Sequence, residues 1–114
     1  MTDLTSIERT EQMLGERVNT PLLLFKHSTR CPISASAWRE FYAFREAHPG
    51  LPIRHARVLV VEHRPVSEWL AQRLGITHAS PQLMLIVGGR VVWHASHFDI
   101  TRSAIEEAFE AQGL

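Results

Sequence analysis

Cysteine is almost absent from this chain of 114 residues: Cys31 is the only one. One thiol excludes an internal disulfide, so the fold owes nothing to cross-linking, and a free thiol points to a reducing, cytoplasmic setting. A charge of one sign is missing too. Twelve basic and 12 acidic side chains cancel, which leaves no electrostatic footprint for a nucleic acid or an anionic membrane. Long apolar runs are lacking: "LMLIV" and "LLLF" fall far short of the ~20 residues that span a bilayer. The N-terminus, "MTDLTSIERTEQ", has no apolar stretch of the secretory kind. Neither a repeat nor a Gly/Pro-rich linker divides the sequence. What is present is ordinary, with 45% hydrophobic and 21% charged residues. This composition predicts one globular domain over residues 1–114, long enough to bury a core of its own.

The apolar spacing predicts an α/β protein. Residues 5–18 read as a helix: Thr5 and Glu8 have capping-box spacing, and Ile7, Leu14 and Val18 fall near one face. Asn19, Thr20 and Pro21 break it. "LLLF" (22–25) suits a strand buried on both faces. From Pro32 to about His48 the period turns helical, with Ile33, Ala37, Phe41 and Phe44 on one face and Trp38 and Tyr42 beside them. A second strand is expected over 56–62. A helix over 64–75 should turn Val66, Trp69, Leu70 and Leu74 inward and close on Gly75. "QLMLIV" (82–87), Gly88–Gly89 and "RVVWHA" (90–95) read as a hairpin. A last helix, capped by Asp99 or Thr101, buries Ile105, Ala108 and Phe109. The order is α-βαβα-ββα, which implies a four-stranded mixed sheet flanked by helices. That is a thioredoxin-like architecture with an extra N-terminal helix.

Within that order, Cys31 falls where a strand hands over to a helix. Unpaired backbone N–H groups and the positive end of the helix dipole converge there, an environment that favours a thiolate. Pro32 fits the first helical position without losing a needed donor. Lys26, His27 and Arg30 just upstream are expected to add positive potential. A buried, inert cysteine would more naturally interrupt the apolar run than follow "HSTR". A two-cysteine oxidoreductase would carry its second thiol at position 34, which here is Ser34. Its hydroxyl could donate towards the Cys31 sulfur but cannot close a disulfide. Exchange therefore stops at a mixed disulfide with an outside thiol, and a second thiol must release it.

Two further stretches bear on this site. Pro81 directly precedes a predicted buried strand, where proline is tolerated only at the first residue or an edge. Its expected place beside the start of the Cys31 helix favours a cis Ser80–Pro81 bond, with the backbone of Ser80 turned to a substrate. In "WHASHFDIT" (93–101), His94 and His97 have H-x-x-H spacing, but too few other ligands are near for a metal site. Ser96, His97 and Asp99 at the start of the last helix read instead as an anion cradle, with capping as the other role for Asp99.

"FKHSTRCPISASAW", "SPQLMLIVGGRVVWHASHFDIT" and the element order resemble the YtxJ-like monothiol bacilliredoxins, thioredoxin-fold proteins of the bacillithiol redox system. The core of the likeness is Thr29, Arg30, Cys31, Pro32, Ile33 and Ser34, followed by Ser96 to Thr101. The resemblance implies that Cys31 is the redox-active residue. It implies bacillithiol, a glucosamine malate thiol, as co-substrate with no tightly bound cofactor, and bacillithiolated proteins as partners. The activity implied is removal of bacillithiol from protein mixed disulfides. Two other readings stand beside it: an iron–sulfur cluster carrier of the monothiol glutaredoxin type, and a thioredoxin-fold interaction module without catalysis.

Overall fold

A computed structural model describes residues 1–15 and 20–114 of the chain. The elements in order are β1 (Thr2–Asp3), α1 (Ile7–Gly15), β2 (Leu22–His27), α2 (Pro32–Ala47), β3 (Arg54–Leu59), α3 (Arg64–Leu74), β4 (Gln82–Val87), β5 (Arg90–Ser96), a 3₁₀ turn (His97–Asp99) and α4 (Arg102–Ala111). The sheet runs β1-β3-β2-β4-β5. β2 pairs parallel with β3, as a crossover helix requires, and antiparallel with β4, while β4 and β5 form the hairpin.

The thioredoxin-like class follows from this order. One strand was not expected: Thr2 and Asp3 pair parallel with Ala56 and Arg57, so the sheet has five strands and not four. Two residues are too few for any periodic signal, and tertiary pairing alone creates that strand. Other boundaries shift as well. Ser6 and not Thr5 caps α1, accepting from Arg9 N–H at 3.1 Å. The inward face of α1 is Thr10, Met13 and Leu14, while Ile7 is exposed. Val18 and Asn19 lie outside the described residues. β3 ends at Leu59 because His63 N–H already bonds Leu59 O at 2.8 Å in the turn into α3, which leaves Val61 exposed. On α2 the face is Ser34, Ala37, Phe41 and Phe44; Ile33 is half-buried and Tyr42 exposed.

The hairpin turn needs glycine. Gly88 and Gly89 have φ of 60° and 76°, and a Cβ on Gly89 would come within 3.3 Å of Leu14 O.

β2 is buried from Leu22 through His27, so its side chains alternate between two cores. Leu22 and Leu24 join Ala56, Val58, Met84 and Ile86 beneath α1 and α3. Leu23 and Phe25 join Phe41, Phe44, Leu83, Leu85 and Phe109 beneath α2 and α4. The same alternation sends Lys26 to the first face and His27 to the second.

Candidate redox site

Cys31 is the N-cap of α2, with extended backbone (φ −111°, ψ 120°) and Pro32 at the first helical position. It is half-buried, between exposed Arg30 and exposed Pro32. Its carbonyl accepts from Ala35 N–H at 3.1 Å, and its own N–H reaches Ser28 O at 3.4 Å. The sulfur itself makes no capping bond. Cys31 thus stands, half-buried, at the N-terminus of a helix of 16 residues, where unpaired first-turn N–H groups converge. Thr29 and Arg30 are exposed beside it.

Ser34 behaves otherwise than expected. Its side chain is fully buried, accepts from Ser28 N–H at 3.0 Å and lies 2.7 Å from His27 Nδ1. Among the described residues no hydrogen bond reaches the Cys31 sulfur. The upstream cations change in the same way. Burial lowers the pKa of His27, with Arg57 adding to the effect and Glu62 opposing it. Lys26, 1% exposed, is pushed down to about 8 by burial and turns away from the site. Its ammonium donates to Ser67 O at 3.0 Å and meets His78 Nδ1 at 3.2 Å. Of these three upstream residues, Arg30 alone is exposed. The strand-like run "LLLFKH" carried the signal for this: alternation from Leu22 and Leu24 puts Lys26 on a buried face.

The Ser80–Pro81 bond is cis, as expected. Pro81 precedes Gln82, the register partner of Lys26, so it enters the sheet at the end of β2 from which the Cys31 loop departs. Its carbonyl accepts from His97 N–H at 3.1 Å, which ties the 3₁₀ turn to the same edge. Ser96 ends β5 opposite Gln82, and the 3₁₀ turn packs against α2. Ser80 Oγ is buried with no hydrogen-bond partner among the described residues.

The anion cradle at the last helix is filled from within. Thr101 is the cap of α4, accepting from Ala104 N–H at 3.1 Å, and Glu40 of α2 accepts from Arg102 N–H at 3.1 Å. Asp99 lies in the 3₁₀ turn and does not cap α4. His94 lies in β5 and His97 opens the 3₁₀ turn, and no group of three possible ligands gathers round them among the described residues.

Fold and site together define a thioredoxin-fold protein with one thiol at the start of α2 and a serine where a second would stand. Residues 2–105 match the family described as monothiol bacilliredoxin BrxC. The chain belongs to that family. A solved structure described as a candidate oxidoreductase with a thioredoxin fold is 33% identical, with a TM-score of 0.83 over 94% of this chain and 91% of that one. Thioredoxin from Fasciola hepatica superposes with a TM-score of 0.76 at 16% identity, covering 97% of this chain and 98% of its own. Mitochondrial thioredoxin 3 from Saccharomyces cerevisiae gives 0.75 at 16% identity over 97% and 94%. The last two show likeness of fold alone. A thiol redox role follows from the family.

Proposed function

We propose that this protein removes bacillithiol from protein mixed disulfides in a reducing, cytoplasmic compartment. The observation that carries the reading is Cys31: the chain's only thiol, half-buried at a helix N-terminus, with a buried and hydrogen-bonded serine at the position of a second. The Cys31 thiolate attacks the bacillithiol sulfur of a client–bacillithiol disulfide. A bond forms between Cys31 and that sulfur, the client–bacillithiol S–S bond breaks, and the client leaves as a thiolate that solvent protonates. A second bacillithiol thiolate then attacks the same sulfur in the Cys31 adduct, freeing Cys31 and leaving with the first as bacillithiol disulfide. No acid or base from the protein is required once the thiolate has formed. In this reading Arg30 meets the malate carboxylates, and the edge made by Ser80, Pro81, Ser96 and His97 carries the rest of the substrate.

The test is intact mass after incubation with bacillithiol disulfide. The wild-type protein gains one bacillithiol adduct, and Cys31→Ser gains none. Equal rates with glutathione disulfide would refute the choice of thiol. An absorption band in the visible after anaerobic iron and sulfide reconstitution, without adduct formation, would favour the cluster-carrying alternative.

A further inference from the structure

The Ser34 hydroxyl connects three pieces of chain that meet under Cys31. Its partners are the His27 ring at the end of β2 and the Ser28 N–H in the loop, while Ser34 itself belongs to the first turn of α2. Ser28 in turn accepts from Cys31 N–H. The loop from Ser28 to Cys31 and the first turn of α2 are thus closed at their base by one buried hydroxyl. Its outer residues, Thr29 and Arg30, are exposed. The His27 ring is held from its other sides by aromatic neighbours, with Trp38 at 5.2 Å and Phe25 at 5.5 Å between centroids.

We propose that His27 is a positioning residue for Cys31: it anchors the Ser34 hydroxyl, and Ser34 holds the Ser28–Cys31 turn that presents the sulfur at the helix terminus. This rests on Cys31 being the attacking thiol. A neutral ring with its proton on Nε2 accepts from the Ser34 hydroxyl, which leaves the hydroxyl's oxygen for Ser28 N–H. The hydroxyl proton is thereby committed to His27 and not to sulfur. Serine at position 34 is then a clasp for the loop, and more than the relic of a lost thiol. In-line attack by sulfur depends on such fixing, because a small misplacement of reacting atoms costs rate steeply.

Packing and hydrogen bonding at His27 are separable. His27→Phe keeps an aromatic ring against Trp38 and Phe25 but cannot bond Ser34. His27→Asn keeps a polar atom near the Nδ1 position but loses the ring. Alkylation of Cys31 by iodoacetamide reads the sulfur without using bacillithiol at all, and circular dichroism confirms that each variant is folded. The expected result is a fall of about tenfold for His27→Phe, the size of one buried hydrogen bond. His27→Asn should return to within about twofold of wild type. Ser34→Ala should match His27→Phe, and the double variant should be no slower than Ser34→Ala alone; Ser34→Ala carries the test if His27→Phe does not fold. Wild-type rates in His27→Phe, or a loss in His27→Asn alone, would overturn the proposal by making the ring a packing element only. If instead the alkylation pattern holds while bacillithiol disulfide leaves no adduct on the wild type, the clasp stands and the proposed function falls.

Discussion

The two faces of the sheet are built from different side chains and end in different buried bases. Beneath α1 and α3 the core is aliphatic, with methionine as filler, and its edge nearest the site is closed by Lys26. Beneath α2 and α4 it is aromatic: Phe25 stacks on Phe41 at 5.4 Å, Trp38 meets both, and Phe44 lies 5.1 Å from Phe109. That face is closed by His27. Lys26 and His27 are neighbours in β2, yet one is tied to α3 and the cis-proline segment, the other to the helix that carries Cys31. The aliphatic face is therefore a floor, whereas the aromatic face is mechanically joined to the thiol.

Core truncations on the two faces should break that contrast most severely if it is wrong. Phe41→Ala is expected to cost about 3–5 kcal/mol and Leu24→Ala about 2–5 kcal/mol in urea unfolding, both being 0% exposed. Among molecules still folded, only Phe41→Ala should slow Cys31 alkylation. Equal slowing in both would abolish the distinction.

Lys26 gives the next effect. Burial lowers its pKa from 10.5 to about 8, so between those values the unfolded chain holds a proton that the folded chain has released. Stability should therefore rise as pH increases from about 8, the penalty for burying the ammonium being complete below it. Lys26→Met should flatten the urea midpoint between pH 8 and 10 without altering Cys31 reactivity.

His55 belongs to the aromatic face, 5.8 Å from Phe41, and supplies the acid counterpart. Burial above all, with Arg45 and the N-terminus adding, lowers its pKa from 6.5 to about 4. The folded state resists the proton that the unfolded chain accepts, so stability is lost as pH falls from about 6.5 and levels near 4. His55→Phe should shrink that loss in a thermal melt series; an unchanged acid limb would remove His55 as its source.

The smallest expected effect lies at the sheet edge. Arg57 binds Asp3 through two bonds, 2.8 and 3.2 Å, and lies 5.1 Å from the Trp38 ring. The Asp3 side chain is 53% exposed, so Asp3→Asn should cost only about 0.5 kcal/mol or less in urea unfolding.

Much of the fold was legible from periodicity. β4 runs over the expected 82–87, and the buried faces of α3 and α4 include Val66, Leu70, Ile105, Ala108 and Phe109 as read. β1 is settled by pairing with distant chain and the end of β3 by the turn that follows it, which no local period records. The cap of α1 is a local bond, displaced by one residue from Thr5 to Ser6. At the site, Cys31 and the cis Ser80–Pro81 bond could be located from residue type and neighbours. The partners of Ser34 and the filling of the α4 terminus by Glu40 could not, because each depends on which side chain arrives from another element.

By itself, the amino-acid order determined the strand–helix rhythm and the solitude of the thiol, since both are properties of neighbours along the chain. Where the buried lysine and histidine point, and which hydroxyl fastens the loop beneath the sulfur, was decided only by folding. Hydrogen-bond partners for groups removed from water are chosen by proximity in space, and residues 7 or 41 positions apart in sequence have none until the sheet and its helices close around them.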